Sequence, residues 1–224
     1  MTKYIVANTK PWNREAFDAW PQKPPGNWLL VETPEQLSEA LKLGAPARYI
    51  FFPHWSWKVS EDLLNQTECV CFHMTDLPYG QGGSPLQNLI VRGHAETMLS
   101  ALRMTNELDA GPIYAKTPLD LSGTAQEIFE RASSVIFDMI SEIVQNEPKP
   151  ISQSGTVTKF NRLTPAQSQL PQQVELRSLY DHIRMLDAET YPTAFLEYGD
   201  FRIEFSDAVI DGDTLSAKVV IQNK

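Results

Sequence analysis

Residues 69–87 read Cys69-Val-Cys-Phe-His-Met-Thr-Asp-Leu-Pro-Tyr-Gly-Gln-Gly-Gly-Ser-Pro-Leu-Gln87. The segment opens with an apolar run of strand length and closes with Ser84 before Pro85, a typical start of a helix. The Gly- and Pro-rich loop between them, 76–83, allows the backbone to approach a ligand closely. A strand, a loop and a helix in this order predict one step of a parallel α/β sheet, with a ligand site where the strand ends.

The alternation of strands and helices extends on both sides of this segment. Buried parallel strands read as continuous apolar runs, and helices begin at capping residues followed by Pro or by Gln and Glu. Strands are predicted at 4–7, 28–31, 49–52 and 69–73, further extended segments at 97–104 and 112–117, and helices after Thr33, Ser84 and Thr124. The pattern predicts an α/β fold with a largely parallel sheet.

The composition changes to Pro, Ser, Gln and Thr between about residues 147 and 171. Beyond it, an amphipathic helix at 176–186 and strands around turns at Gly199 and Gly212 follow. We therefore expect two domains, a larger one over residues 1–160 and a small α+β domain over residues 161–224.

The composition excludes several partners. The 224 residues carry a formal net charge of −9, which argues against a nucleic-acid partner because phosphate backbones bind basic surfaces. No apolar stretch reaches membrane-spanning length and no secretory signal is present. Cys69 and Cys71 are poorly placed to form a disulfide with each other, so we expect reduced thiols in a cytoplasmic protein.

His73 is the histidine in the most suggestive position, at the end of a strand and before the Gly-rich loop. Asp109 lies in a predicted turn, and a histidine oriented by a carboxylate can stabilise an oxyanion or move a proton. A structural role, with His73 simply hydrogen-bonded to the loop, remains open. Cys69, Cys71 and His73 share one strand face, but core thiols are favoured over a metal site because no second Cys/His cluster exists.

Two motifs carry a resemblance to a known family. The segment 71–87 resembles the signature of the formyltransferases that use 10-formyltetrahydrofolate, in which Asn-x-His precedes a Gly-rich turn and a helix start. Leu108-Asp-Ala-Gly-Pro-Ile113 is similar to the second motif of that family, which carries a catalytic Asp. The resemblance covers most of the first 150 residues and implies a Rossmann-like formyltransferase core, with the catalytic domain in residues 1–160 and a small C-terminal appendage.

The resemblance also implies a mechanism in which an amine attacks the formyl carbon of the co-substrate. His73 would stabilise the oxyanion and assist proton transfer, and Asp109 would orient His73 and favour its protonated form. No metal is implied. The co-substrate would lie against residues at the end of the third strand and in the second motif, namely Phe52, Pro53, His54, Leu108, Asp109, Gly111 and Ile113.

Cys71 departs from the family pattern, because it occupies the position of the family Asn. A thiol is a weak donor, and losing one oxyanion donor typically costs about 100- to 1000-fold in rate. His54, Asn106 and Thr75 are candidate replacements for the missing donor, and we hypothesise that His54 takes this role. Gln81 also stands where a basic residue is expected, which suggests that a phosphate contact is missing.

The tail resembles that of nucleotide-sugar formyltransferases, of the type that acts in pseudaminic-acid pathways, so a nucleotide-linked amino sugar is the expected acceptor. The aromatic strands of the tail could form a homodimer face. A catalytically impaired folate- or nucleotide-binding homologue, and enzymes acting on a carrier-bound amino acid, glycinamide ribonucleotide or methionyl-tRNA, are the alternatives. Candidate acceptor contacts are Thr75, Gly83, Ser84, Gln87, Lys10 and Arg103.

Overall fold

The computed structural model describes residues 1–224 and contains eleven strands and six α-helices. The strands are β1 Lys3–Asn8, β2 Asn27–Val31, β3 Ala47–His54, β4 Glu68–His73, β5 Gln81–Gly82, β6 Glu96–Arg103, β7 Ile113–Asp120, β8 Lys159–Phe160, β9 Ala194–Tyr198, β10 Phe201–Asp211 and β11 Thr214–Asn223. The helices are α1 Pro11–Asp18, α2 Pro34–Lys42, α3 Glu61–Gln66, α4 Pro85–Val91, α5 Ala125–Asn146 and α6 Leu176–Arg184, and a 3₁₀ turn spans Pro165–Ser168.

The main sheet has six strands in the order β2-β1-β3-β4-β6-β7. Strand β1 runs parallel to β2 and β3, and β3 runs parallel to β4, whereas β6 is antiparallel to β4. The predicted α/β fold with a mainly parallel, Rossmann-like sheet is therefore confirmed. In such a sheet the carboxyl ends of β1, β3 and β4 meet at one edge, where ligands bind.

The central strands are buried on both faces. Ile5, Val6, Ile50, Phe51 and Val70 have no exposed surface. Burial on both faces explains why these strands read as continuous apolar runs, without the polar alternation of a half-exposed sheet.

Two of the three predicted helix starts have the expected capping bonds. Thr33 Oγ1 accepts a hydrogen bond from Gln36 N at 3.2 Å, and Thr124 Oγ1 accepts one from Glu127 N at 3.3 Å. Ser84 differs, because its backbone is left-handed with φ 48° and its hydroxyl makes no cap bond. Helix α1 escaped the sequence reasoning because Lys10, its N-cap residue, offers no capping side chain.

The chain forms two compact units, each built from separate stretches. Unit 1 comprises Met1–Gln81, Met98–Leu119 and Glu130–Lys159, and unit 2 comprises Gly82–Thr97, Asp120–Phe129 and Phe160–Lys224. This division differs from the predicted domains 1–160 and 161–224. Contacts between stretches that are distant in sequence define the units, and composition alone does not reveal such contacts.

Unit 2 is organised around an antiparallel sheet in the order β11-β10-β9, with α6 packed on β10 and against α4. Arg184, at the end of α6, is 4% exposed and donates to the carbonyls of Leu121 at 2.6 Å and Gly123 at 2.9 Å. Its charge is matched by Asp181 at 2.6 Å. A buried arginine with these partners joins two stretches of unit 2 that are far apart in sequence.

No helix of this structure combines the length and the apolar character that crossing a bilayer requires.

Candidate active site

His73 lies at the carboxyl end of β4 and is 7% exposed. Its Nε2 is 2.7 Å from the carbonyl oxygen of Gly80, and its Nδ1 is 3.6 Å from Oδ1 of Asp109. A carbonyl oxygen only accepts, so Nε2 carries a proton and donates it to Gly80. The distance to Asp109 is that of an ion pair and is longer than a hydrogen bond. The structure thus brings together the two residues that the motifs predicted as partners.

Asp109 sits in a tight loop between β6 and β7. Its backbone is left-handed, with φ 54°, and its side chain is only 10% exposed. Two residues later, a Cβ built on Gly111 would lie 1.8 Å from the carbonyl oxygen of Arg103. Only glycine fits this approach, and the close packing keeps the loop against the end of β6.

Cys71 lies two residues before His73 on the same face of β4. Desolvation raises the pKa of its thiol, and the negative charge of Asp109 raises it further. Desolvation likewise raises the pKa of Cys69 to about 12. Both cysteines are free thiols. The position of the family Asn therefore holds a protonated thiol, which is a weak donor.

The neighbouring strand ends bring His54 and Lys10 to the same edge of the sheet. His54 is in register with Asn8, and its carbonyl accepts a hydrogen bond from Thr9 N at 3.0 Å. The register of β3 against β1 shifts between Phe51 and His54, so alternation from Phe52, which pairs with Cys71, does not assign His54 to a face of the sheet. The hypothesis that His54 acts beside Cys71 stays a prediction.

Lys10 is fixed through its backbone. The amide Nδ2 of Asn8 donates to the Lys10 carbonyl at 2.7 Å, and Asn8 Oδ1 accepts from Lys10 N at 3.1 Å and from Asn13 Nδ2 at 2.9 Å. Asn8 has no exposed surface. Desolvation lowers the pKa of Lys10, whose ammonium lies 5.4 Å from the centre of the Trp12 ring.

Two tryptophans that the sequence reasoning did not single out, Trp55 and Trp57, follow β3 and extend from Phe52. The rings of Phe52 and Trp55 are 5.8 Å apart, and those of Trp55 and Trp57 are 4.9 Å apart, both edge to face. Trp57 is 47% exposed, and Cys71 and Met104 pack against the same apolar cluster as Trp55. Two tryptophans within three positions after a buried strand were the signal that could have revealed this aromatic cluster.

The other predicted co-substrate contacts fall in two places. Pro53 is buried in β3, whereas Leu108, beside Asp109, is 76% exposed. Ile113 begins β7 and exchanges two backbone hydrogen bonds of 2.8 Å with Ile151. Leu108 is thus the member of the second motif whose side chain is most available to a ligand.

Two of the predicted acceptor contacts lie in unit 1 without an open position beside His73. Thr75 has no exposed surface, its hydroxyl faces the Gly80 carbonyl at 3.5 Å, and its own carbonyl accepts from Ser100 Oγ at 2.7 Å. Arg103 is in register with Val70, and its positive charge acts on Glu68 and Cys69. Arg103, at the end of β6, therefore pairs with β4 three residues before His73.

Three further predicted acceptor contacts, Gly83, Ser84 and Gln87, are engaged inside unit 2. A Cβ on Gly83 would lie 2.5 Å from Cβ of Arg162, and the Ser84 hydroxyl accepts from Leu163 N at 3.0 Å. Gln87 is 2% exposed and donates to the Met185 carbonyl at 3.1 Å. These three residues have packing roles, and a helix of seven residues with a left-handed start is a poor anion site.

Gln153 is a site residue that the sequence reasoning missed. Its Nε2 donates to the carbonyls of Asp109 at 2.7 Å and Gly111 at 2.8 Å, and its Oε1 accepts from Gln81 Nε2 at 3.1 Å. Gln81 is 7% exposed, so its amide serves this internal contact and not a phosphate. A lone Gln in a segment of Pro, Ser and Gln gives no sequence signal.

Known proteins resemble the chain at three levels. The family model for the C-terminal domain of methionyl-tRNA formyltransferase matches residues 165–222. The methionyl-tRNA formyltransferase of Streptococcus pyogenes serotype M6 is 26% identical over 159 residues, which are 68% of this chain and 51% of that protein. The chain thus spans about half the length of the curated relatives it matches.

Solved structures extend the likeness to the whole chain. The structure of a methionyl-tRNA formyltransferase from Clostridium thermocellum is 43% identical and superposes with a TM-score of 0.95, covering 100% of both chains. HypX from Aquifex aeolicus in complex with tetrahydrofolic acid is 14% identical, with a TM-score of 0.74 over 93% of this chain and 38% of HypX, which shows a shared fold.

The expectation of a nucleotide-sugar acceptor and no nucleic-acid partner is wrong on these comparisons, because the more similar relatives are named for methionyl-tRNA. The charge argument failed because net charge sums the whole surface and does not report on a local site. The resemblance of the tail to nucleotide-sugar formyltransferases was misleading, because residues 165–222 match the C-terminal domain model of methionyl-tRNA formyltransferase. With 43% identity over its full length to a solved formyltransferase, the chain belongs to the formyltransferase family.

Proposed function

We propose that this protein transfers a formyl group from 10-formyltetrahydrofolate to the amino group of the methionine on methionyl-tRNA. The observation that carries the proposal is the buried His73–Asp109 pair at the carboxyl edge of a parallel sheet. The names of the full-length structural relative and of the curated relatives support the acceptor.

The residues at this edge fit a folate. A pterin is flat and aromatic, and it requires an apolar wall together with a few polar groups that fix its orientation. Trp55 and Trp57 supply aromatic faces and edges, and the exposed Leu108 supplies an apolar surface beside Asp109. When bound, 10-formyltetrahydrofolate supplies an electrophilic formyl carbon for attack by an amine.

His73 is the group that would act on the reacting oxygen. Its Nε2 proton is engaged by Gly80, whereas its Nδ1 is 3.6 Å from Asp109 and makes no hydrogen bond there. We assign to Nδ1 the contact with the formyl oxygen and the transfer of a proton at that atom. Asp109 holds the ring in place and stabilises positive charge on it, as a neighbouring carboxylate does.

The test is formylation of methionyl-tRNA by the purified chain with 10-formyltetrahydrofolate, read as formylmethionine by mass spectrometry after hydrolysis of the ester. His73→Gln should lower kcat by at least ~100-fold, the usual contribution of a general acid–base group, and Asp109→Asn should lower it as well. His94→Gln, which changes a histidine of unit 2, is the matched control and should keep wild-type turnover.

Two results would contradict the proposal in different ways. Formylation of another amine but not of methionyl-tRNA would overturn the acceptor and keep the reaction. Tight folate binding without any formylated product would instead support the impaired homologue that Cys71 raises, because its protonated thiol is a weak substitute for an amide donor.

A further inference from the structure

The loop that carries Asp109 is held by a side chain from a distant part of unit 1. Gln153 donates to the carbonyl of Asp109 itself at 2.7 Å and to that of Gly111 at 2.8 Å. Inside the loop, the contact from Ala110 N to Glu107 O is 3.5 Å, at the outer limit of a hydrogen bond. Gln153 therefore provides the short polar contacts that fix the backbone at Asp109.

The orientation of both glutamine amides follows from their partners. The carbonyls of Asp109 and Gly111 can only accept, so Gln153 must present its NH₂ group to them. Its oxygen then faces Gln81, which must donate, as the 3.1 Å contact between Gln81 Nε2 and Gln153 Oε1 requires. No other assignment of oxygen and nitrogen satisfies all three contacts.

These contacts close a ring around the catalytic pair. His73 Nε2 donates to the Gly80 carbonyl, and Gly80 is bonded to Gln81. Gln81 donates to Gln153, and Gln153 donates to the Asp109 carbonyl. The carboxylate of Asp109 in turn lies 3.6 Å from His73 Nδ1. The two ring nitrogens of His73 therefore face the two ends of one chain of contacts, with Nε2 at the Gly80 carbonyl and Nδ1 at the Asp109 carboxylate.

We infer that Gln153, held by Gln81, is a positioning residue that sets the separation between the Asp109 carboxylate and the imidazole of His73. Neither glutamine is hydrogen-bonded to His73, and both act through the backbone of the residues that contact its ring nitrogens. The inference rests on the proposed function only for its effect on turnover. The geometry of His73 can be measured without any substrate.

The experiment is NMR of the full chain labelled with ¹⁵N-histidine at one fixed pH. The chain has four histidines, and the signals of His73 are those missing in His73→Gln. Gln153→Glu keeps the acceptor for Gln81 but sets carboxylate oxygens against two carbonyls, and Gln153→Met removes the donors at similar size. Gln66→Met, at an exposed position of α3, is the matched control.

The expected result is a displaced Nδ1 signal of His73 in both Gln153 variants and an unchanged spectrum in Gln66→Met. In the formylation assay, kcat should fall by about 10- to 100-fold, as for other residues that orient a catalytic group, with a smaller change in KM. His73 signals that stay at wild-type positions in folded Gln153 variants would overturn the inference.

A second variant tests the same inference in case the Gln153 variants do not fold. Gln81→Met removes only the bond that closes the ring and leaves both donors of Gln153 on the loop. It should shift the Nδ1 signal in the same direction by a smaller amount. If the signal does not move, the contacts through Gln81 and Gln153 do not position His73. Intact folate binding and formylation in the same variant would then leave the proposed function standing.

Discussion

The side chain at position 71 determines how strong a hydrogen-bond donor lies beside His73 on β4. Cys71 lies two residues before His73 on the same strand face, with a thiol whose pKa is raised by desolvation and by Asp109. A protonated thiol donates weakly, whereas an amide at this place would add a strong neutral donor. If His73 acts as proposed, we expect the reaction to depend on His73 more heavily than where an Asn stands at this position.

Cys71→Asn should raise kcat, by up to about 100-fold, because one oxyanion donor is worth about 10² to 10³ in rate. The assay is single-turnover formylation of methionyl-tRNA, and Cys71→Ala is the control because it removes the weak thiol donor without adding another. An unchanged or lower rate in a folded Cys71→Asn protein would show that another group already fills this role.

Cys69 should make stability fall at alkaline pH. Its folded pKa of about 12 exceeds the ordinary value of 9.0, so the folded state favours the protonated thiol. The resulting stabilisation is complete below about pH 9 and is lost as the pH rises toward 12, with a slope of up to about 1.4 kcal/mol per pH unit. Urea unfolding from pH 8 upward should show a steeper fall of stability in the wild type than in Cys69→Ala, which keeps the similar contribution of the Cys71 thiol. Equal slopes in the two proteins would contradict the assignment.

Single residues show what sequence can reveal about the site. His73 and Asp109 were predicted as partners because two motifs carry them, although they lie far apart in the chain. Gln153 has neither a motif nor a periodic pattern around it, so its contacts are visible only in the three-dimensional structure. His54 was predicted near the site because it ends a strand, and strand register shows only that it lies beside Asn8.

At the scale of elements, the loop between β6 and β7 is the most constrained piece of the site. Gly111→Ala would set a Cβ 1.8 Å from the Arg103 carbonyl oxygen, so the loop must move and take Asp109 with it. We expect a loss of about 1–3 kcal/mol in the free energy of unfolding, together with a lower kcat.

Gly44→Ala is the control for this change. Gly44 has φ 67° and no atom within 4 Å of a built Cβ, so only the left-handed backbone costs energy there, about 1–2 kcal/mol. Thermal unfolding and formylation separate the two effects. If Gly111→Ala kept wild-type kcat, the loop would not need its present position.

Helix α4 depends on Asn88, whose amide lies within hydrogen-bond distance of the carbonyls of Gly83 at 3.2 Å, Ser84 at 3.0 Å and Asn161 at 2.9 Å. Asn88→Ala should lower the free energy of unfolding by about 1–3 kcal/mol, because buried acceptors lose their donor. Asn65→Ala, at an exposed position of α3, should change it little. Equal melting temperatures for the two variants would contradict this role.

Elements were predictable wherever their signal was local. The starts of α2 and α5 follow from capping residues whose hydrogen bonds the structure contains. The Ser84 start has the same letters but a left-handed backbone, because the hydroxyl is taken by Leu163. A capping motif therefore located the helix correctly and described its first turn incorrectly.

At the scale of the whole molecule, the division into units was the least predictable feature. Composition indicated one boundary near residue 160, whereas unit 2 also takes Gly82–Thr97 and Asp120–Phe129. Fragment 161–224 should therefore lack a cooperative thermal transition, because it is missing α4 and the first turn of α5. Fragment 161–224 with a sharp melting transition would show that the tail is self-sufficient.

The interleaved units have a consequence for synthesis on the ribosome. Leu86, Leu89 and Ile90 of α4 are each 1% exposed in the finished protein, and α4 packs on α6, which begins at Leu176. Translation proceeds at about 5–20 residues per second, so these apolar side chains emerge several seconds before their partners exist. The nascent chain thus passes through an interval in which a chaperone, or a slower aggregation reaction, competes for a surface that the folded enzyme never exposes.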